Sequence, residues 1–233
     1  ASTAYNAWHT FNTVASIDRE QLLYFVSTYQ APLRDMQFHG LAMTMIFGVS
    51  LRTLPHLFGL PKCSDKRAWC GLVLLTIAVL SETALFITYK LNHNDIYASL
   101  LTLPCLLMTI ASAMIVLPFK LWKPFPEPDR STKFIRIAFA WLFVSLLMLL
   151  LQPINDAVNH THFSHAYSGA IRHASTVGFI SMMIMGYALK IVPTLNGLDA
   201  RKMSPLWGPF ILVNLGCLLR VSMQTLSEWI LSI

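Results

Sequence analysis

Two histidines, His39 and His173, lie inside apolar stretches of the sequence. An imidazole in hydrocarbon is costly to bury and usually has a function. If the first apolar helix begins near Pro32 and a later one covers 166–197, each histidine is seven residues into its helix. That is about 10 Å along the axis at about 1.5 Å per residue. The two imidazoles are therefore predicted at one depth on one side of a membrane.

Two neutral imidazoles from facing helices at equal depth can supply both axial ligands of a b-type haem. We therefore expect His39 and His173 to bind one haem b. Arg34, Arg172 and Arg220 are candidates to pair with its propionates, because guanidinium groups match carboxylates. Arg34 and Arg172 could equally extend to lipid head groups. The alternative is that both histidines only form hydrogen bonds with neighbouring groups.

Further histidines suggest weaker metal sites. His160, His162 and His165 form an HxHxxH pattern just before the later histidine helix. Imidazole suits copper, zinc or iron, so the alternatives to a solvated loop are an outer-face metal site, for instance for copper, or a haem ligand that replaces His173. His56 lies 17 residues beyond His39, but no second histidine is expected at its level, so it is interpreted as a helix-end residue.

Glu82 and Arg220 each interrupt an apolar stretch near the middle of a predicted helix. An ion pair between the two is the simplest way to tolerate both in a membrane. A proton path through Glu82 is the alternative.

Composition indicates a membrane protein. The 233 residues are 55% hydrophobic and 12% charged, with a mean hydropathy of +0.55, and apolar runs long enough to span a bilayer recur. The four cysteines form no CxxC pair, which argues against a thiolate metal site or covalently attached haem. Since the basic residues lie in loops between apolar stretches, the net charge of +6 does not indicate nucleic-acid binding.

The predicted fold is all-α, a polytopic transmembrane bundle of six helices. The predicted spans are 32–58, 69–89, 96–119, 134–151, 166–197 and 205–230. Residues 1–30 are too polar to span and are expected to form an N-terminal surface segment, which leaves 31–233 as the membrane domain. A proline-rich loop at 120–133 and a polar loop at 152–165 are predicted to separate helices.

Basic residues set the predicted orientation. Loops after the first, third and fifth spans carry eleven Lys and Arg residues against four on the opposite side. The positive-inside rule places the eleven in the cytoplasm. Both termini, His39 and His173 are then expected on the outer, periplasmic side of a bacterial inner membrane.

The first span resembles the fifth at an offset of 138 residues. MTMIFGVSLRTLPHLFGL (43–60) aligns with SMMIMGYALKIVPTLNGL (181–198). The aligned pairs include Gly48/Gly186, Pro55/Pro193 and Gly59/Gly197. A partial four-helix repeat is therefore predicted, in which spans one and two correspond to spans five and six.

Two histidine-containing motifs resemble a known family. QFHGLAMTMIFGVSLRTLPHLFG resembles the first histidine helix of the NnrS family, membrane haem-copper proteins linked to nitric oxide metabolism. RHASTVGFISMMIMGYALKIVPTLNG is similar to a later helix of that family, and GCLLRV to its closing helix. More distantly, both histidine helices are similar to the haem-ligand helices of haem-copper oxidase subunit I. The resemblance implies that His39 and His173 are haem ligands and that Arg220 lies nearby, although Gly40 replaces the glutamate of the NnrS motif.

The predicted function is that of a cytochrome-b-like subunit that holds one bis-histidine haem near the outer face. It would pass electrons between quinol or a c-type cytochrome and a larger redox complex, as a subunit rather than a stand-alone enzyme. One alternative is an NnrS-like haem or copper protein of the nitric oxide response. Another is a structural membrane subunit without a cofactor. The expected partners are the lipid bilayer and other subunits of the complex.

Overall fold

Six long helices make up the fold. The computed structural model describes residue 8 and residues 25–92, 95–159 and 164–231. All six helices are long and apolar enough to cross a membrane, and no strand occurs in the described ranges. They are α1 (Thr28–Phe58), α2 (Asp65–Asn92), α3 (Thr102–Phe119), α4 (Thr132–Val158), α5 (His165–Leu195) and α6 (Trp207–Leu231). The prediction of an all-α protein with six candidate membrane spans is confirmed.

The first five helices form a ring, each packing against the next, and α5 closes the ring against α1. Helix α6 lies outside the ring against α5, and Trp141 Nε1 of α4 donates a hydrogen bond to Asn214 Oδ1 of α6 at 3.0 Å. We call the end where α1, α3 and α5 finish the basic end. The opposite end, where α1 begins and α2 finishes, is the cavity end.

Small residues allow the closest helix contacts. A Cβ atom added at Gly178 of α5 would lie 2.5 Å from Trp141 of α4, and one at Gly71 of α2 would lie 2.7 Å from Ile115 of α3. Membrane helices associate largely by such close packing, because lipid tails are as apolar as the side chains they would replace. Helix packing therefore accounts for Gly178.

Glycines end the helices as expected. Helix α1 finishes at Phe58, and Gly59 follows in the left-handed conformation with φ of +62°. Gly197, with φ of +69°, plays the same part just beyond α5. This is the usual helix C-terminus, which favours glycine because it lacks a Cβ atom. Pro193, which was expected to help end the helix, lies inside α5 instead.

Two predicted boundaries were wrong. Helix α4 continues to Val158 with Pro153 inside it, so the first part of the predicted loop 152–165 is helical. One lost backbone hydrogen bond at a proline is tolerated when the flanking residues keep their packing. The third span is broken instead of continuous: a short helix, Asp95–Leu100, precedes α3. Pro104 explains the break, because it cannot donate to the carbonyl of Leu100.

Helix α1 begins before Pro32. Its helical backbone includes Val26–Gln30, so the end of the predicted surface segment 1–30 is part of the first helix. The rest of that prediction falls mostly on residues 1–7 and 9–24, which lie outside the described residues.

Candidate functional site

The five-helix ring encloses a cavity of about 510 Å³ at the cavity end. Its walls carry aromatic and aliphatic side chains such as Phe86, Tyr89 and Leu149, together with the carboxyl groups of Asp35 and Glu82. Carboxyl groups lining a cavity within candidate membrane spans are expensive to maintain and are usually retained for function. This cavity is therefore part of the candidate functional site.

His39 of α1 forms an ion-pair contact with Glu82 of α2, with 3.1 Å between Nδ1 and Oε2. Both side chains are nearly buried, at 10% and 13% exposed. Since an ionised carboxylate only accepts hydrogen bonds, Nδ1 carries the proton and donates it to Glu82. Nε2 of His39 has no hydrogen-bond partner among the described residues.

A second ion pair lies beside the first. The guanidinium of Arg172 in α5 donates to Asp35 of α1 from Nε, at 3.1 Å to Oδ1, and from Nη2, at 3.4 Å to Oδ2. Such two-pronged contacts fix the geometry as well as the charge. The two pairs tie α1 to α2 and to α5.

The four side chains Asp35, His39, Glu82 and Arg172 line one further cavity of about 40 Å³. We call them the paired cluster. Asp35 and Glu82 also line the 510 Å³ cavity, so the two spaces adjoin through their carboxyl groups. The paired cluster thus borders both cavities.

Two polar side chains continue the cluster toward α4. Gln152 Nε2 donates a hydrogen bond to Ser168 Oγ at 3.2 Å, and both residues line both cavities. Hydroxyl and amide groups can pass hydrogen bonds on to water. The cluster therefore has polar neighbours on α4 and α5.

The backbone around the cluster is unusual. Met36–Ala42 in α1 and Ala174–Ser181 in α5 are π-helical. π-helical turns are rare, appear mostly as bulges within α-helices and are frequent at functional sites. His39 lies inside the first of them and His173 immediately precedes the second.

His173 has different surroundings from His39. Its Nδ1 donates to the backbone carbonyl of Gly169 at 2.9 Å, and Cys217 Sγ of α6 lies 3.7 Å from the carbonyl oxygen of His173. The small cavity beside His39 is lined from α5 by Ser168, Arg172 and two further residues, and His173 is not among them.

The chain matches the family model of a domain of unknown function, DUF8744, over residues 132–231. The match runs from the first residue of α4 to the last of α6 and covers less than half of the chain. It includes Arg172 but neither His39 nor Glu82. No curated protein and no solved structure matches the chain. The resemblance to NnrS proteins and to haem-copper oxidase subunit I stays a prediction.

Other expected site residues lie apart from the paired cluster. Arg34 and Arg220 are exposed, and the expected ion pair between Glu82 and Arg220 was wrong because Glu82 pairs with His39. His56 is exposed near the end of α1, as expected of a helix-end residue.

The predicted histidine-rich metal site is only partly described. His160 and His162 lie outside the described residues, and His165 is the first residue of α5. Within the described part of the chain, no group of three or more His, Cys, Asp or Glu side chains could hold a metal ion.

Sequence reasoning missed Asp35, Gln152 and Ser168 as members of the site. A signal for Asp35 was present, because a carboxylate four residues before His39 lies on the same helix face in an otherwise apolar stretch. Nothing comparable marks Gln152 or Ser168, whose types are common at helix ends. Only the packing of the five helices brings Gln152 and Ser168 to the site.

Proposed function

We propose that the paired cluster accepts and releases a proton within the membrane, and that the 510 Å³ cavity connects it to one face. The observation that carries the proposal is the contact between His39 and Glu82, 3.1 Å apart, on a cavity wall. Intramembrane acid and histidine residues that face a cavity are typical of proton relays in membrane proteins.

The position of the carboxyl groups favours this function over a purely structural ion pair. A structural pair needs only a packed environment, whereas Asp35 and Glu82 both line the larger cavity as well as the small one. A proton taken up at Nε2 of His39 can then leave from the other side of the ring, because Nδ1 gives its own proton to Glu82, which releases it to water in the cavity. Histidine suits this exchange, because its unperturbed pKa lies between pH 5 and 8.

Infrared difference spectra of the purified protein, recorded between pH 5 and 8 in H₂O and ²H₂O, test the proposal. We expect a carbonyl band from a protonated carboxylic acid that grows as the pH falls and shifts in ²H₂O. It should disappear in E82Q and persist in E127Q, since Glu127 is an exposed carboxylate at the basic end. A band that is equally strong in E82Q, or one that does not respond to pH, would contradict the proposal.

The second candidate function is haem-linked electron transfer in a larger redox complex, with His39 and His173 as axial ligands. It is favoured by the ring nitrogens: each Nδ1 donates to an oxygen, and neither Nε2 has a hydrogen-bond partner among the described residues. Histidines that bind metal usually have their other ring nitrogen held in this way. Quinol or a c-type cytochrome would then be the electron donor.

The small volume of the cavity beside His39 argues against the haem proposal. The cavity beside His39 measures about 40 Å³, whereas pockets for cofactors typically measure about 300–1,000 Å³. The π-helical turns of α1 and α5 also contact each other directly. The donor atoms therefore suit haem iron, but the macrocycle would fit between these helices only if they moved apart.

A reduced-minus-oxidised absorption spectrum decides between the two functions. Haem bound by both histidines would give b-type bands that disappear in H39A and in H173A but remain in H56A. Carbon monoxide should barely change the reduced spectrum, because both axial positions are filled. A strong response would favour the NnrS-like alternative, in which a haem or copper site binds nitric oxide. Protein purified from haem-sufficient cells without these bands would remove both haem proposals.

We also propose that the basic end faces the cytoplasm of a bacterial inner membrane and that both termini lie outside. The distribution of Lys and Arg supports this orientation. Cys63 lies in the loop between α1 and α2 at the basic end. In a variant that keeps Cys63 as its only cysteine, an impermeant maleimide should label inverted vesicles and spare intact spheroplasts. The opposite labelling pattern would reverse the orientation.

The predicted repeat is kept as a proposal. It is supported by two of the three π-helical segments in the described residues, which begin 138 residues apart at Met36 and Ala174. Gly59 and Gly197, at the same offset, both have positive φ. Matched leucines can arise from apolar composition alone. Backbone irregularities at equal spacing are harder to explain in that way.

A further inference from the structure

A second, larger cavity of about 880 Å³ lies at the basic end between α3, α4 and α6. The side chains of Arg130, Lys133, Arg136 and Arg201 line it, and the rest of its lining is mostly apolar. We call this cavity the basic pocket. It shares no residue with the paired cluster.

Three of its four cations have no acidic partner. Arg201 pairs with Asp199 at 3.1 Å and with Glu127 at 3.9 Å. Among the described residues, no carboxylate oxygen lies within 4.0 Å of Arg130, Lys133 or Arg136. The pocket therefore has a local excess of positive charge.

The acid in the pocket wall does not cancel this excess. Asp129 lines the pocket, but its buried carboxylate already pairs with Lys190 of α5 at 2.7 Å. Its other oxygen accepts from the backbone N–H of Ser131 at 2.8 Å. Asp129 is therefore neutralised by partners of its own.

The positive groups are also held in place. The guanidinium of Arg136 lies 4.6 Å from the centre of the Phe125 ring, and the ammonium of Lys133 lies 3.9 Å from that of Trp207. The Nε atoms of Arg130 and Arg136 are buried and have no hydrogen-bond partner. Buried donors without partners are uncommon and costly.

The apolar wall extends from the cations into the membrane layer. Lys133, Arg136, Ala140 and Phe143 of α4 all line the pocket, and their spacing puts them along one helix face. Lys133 and Phe143 are about 15 Å apart along the axis at about 1.5 Å per residue. That is half of a hydrocarbon core of about 30 Å, the depth of one lipid leaflet.

We infer that the basic pocket binds a phospholipid with an anionic head group. The phosphate contacts Arg130, Lys133 and Arg136, and an acyl chain lies along the face of α4 that includes Ala140 and Phe143. Trp122 and Trp207, both exposed in the pocket wall, stand where indole rings favour the interface between water and lipid. Basic pockets between membrane helices hold anionic head groups in the same way.

The test is a titration of the purified full-length chain, in zwitterionic detergent, with fluorescent phosphatidylglycerol and phosphatidylcholine. We expect phosphatidylglycerol to bind at least about tenfold more tightly. R130Q, K133Q and R136Q should each weaken it about fivefold, since each basic residue near the surface contributes about 1 kcal/mol to such binding. The triple variant should then bind about a hundredfold more weakly and lose its head-group preference.

A matched triple variant, R52Q/K66Q/R67Q, removes the same charge from exposed positions near the basic end. It should leave binding unchanged. Equal weakening by the two triple variants would overturn the proposal, because the effect would then be general surface electrostatics. Equal affinity for the two lipids would overturn it as well. Thermal unfolding and the charge-conserving R130K/R136K variant separate a lost site from a lost fold.

A third arm distinguishes a lipid from free phosphate. A140W fills the groove at an exposed position of α4 and leaves the cations in place. It should weaken phosphatidylglycerol binding about tenfold, and inorganic phosphate should not displace the lipid. Efficient displacement by inorganic phosphate, with no effect of A140W, would show that the pocket takes a free anion instead.

Discussion

The paired cluster and the basic pocket differ in how their charged side chains are paired. In the paired cluster every cation has an acid partner: Arg172 contacts Asp35, and His39 contacts Glu82. In the basic pocket Arg130, Lys133 and Arg136 have none among the described residues. The first arrangement is complete without a ligand, whereas the second calls for an anion. Loss of a charge should therefore affect stability at the first end and binding at the second.

The largest expected effect is at the paired cluster. R172A leaves the Asp35 carboxylate without its guanidinium partner. Breaking a buried pair typically costs about 3–5 kcal/mol. Because the two side chains are 34% and 27% exposed, we expect about 2–3 kcal/mol less free energy of unfolding, measured by chemical denaturation in detergent. The double variant D35N/R172Q should recover part of the lost free energy of unfolding. If R172A were as stable as the wild type, the contrast between the two ends would be wrong.

Asp129 and Lys190 form a paired site at the basic end and should behave like the paired cluster. Burial raises the pKa of Asp129, but hydrogen bonds from Lys190 and Ser131 outweigh it and leave the pKa below its ordinary value. The carboxylate therefore stabilises the fold fully above the unfolded pKa of about 3.9. That contribution is lost as the pH falls through the lower folded pKa.

D129N should cost about 2 kcal/mol at neutral pH, the usual size for a hydrogen bond to a charged group. The difference from the wild type should shrink below about pH 4. Unfolding measured across pH checks both statements. D199N is the control, since Asp199 is a more exposed carboxylate in the same region and should change stability little. A difference that persists unchanged in acid would contradict the assignment.

Loss of a contact between uncharged side chains, which lies between the two ends, should have an intermediate effect on stability. Tyr187 of α5 donates from Oη to Ser50 Oγ at 3.0 Å and accepts from Thr53 Oγ1 at 2.9 Å. Y187F removes one hydroxyl that joins α5 to α1, and we expect a loss of about 1 kcal/mol. Thermal unfolding with T76A as control measures it, because the hydroxyl of Thr76 bonds only within its own helix.

The smallest effect on stability is expected in the basic pocket. R130Q removes a cation with no acidic partner among the described residues, so stability should stay within about 0.5 kcal/mol of the wild type. Denaturation under the conditions used for R172A is the measurement. A loss as large as that of R172A would mean that Arg130 is part of an internal pair, and the contrast between the two ends would fail.

Most of the fold followed from hydropathy, because a run of about 20 apolar residues has few alternatives to a membrane helix. The preference of glycine for the left-handed conformation after a helix likewise predicted that α1 ends at Gly59. The prediction failed at 152–158, which was assigned to a polar loop although the helix continues past Pro153 to Val158. A single proline removes one hydrogen bond, and the packing of its neighbours decides whether the helix continues.

The site was harder to predict than the fold. His39, Glu82 and Arg172 were each singled out because charge in an apolar stretch is costly. Their partners were not identified, since Glu82 pairs with His39 instead of Arg220. One sequence gives the depth of a residue in the membrane but not the direction in which its helix faces. Asp35 was missed although its position four residues before His39 was a signal, and the joint role proposed for His39 and His173 stays a prediction.

The π-helical segments have a consequence for how this chain tolerates changes of length. Removing one residue from a membrane helix normally rotates everything beyond it by about 100°, because an α-turn holds 3.6 residues. A π-turn already carries a surplus residue, so a deletion within Met36–Ala42 can be absorbed by a return to regular α-helix. The part of α1 that follows the deletion would then keep its orientation, and only the imidazole of His39 would point in a new direction.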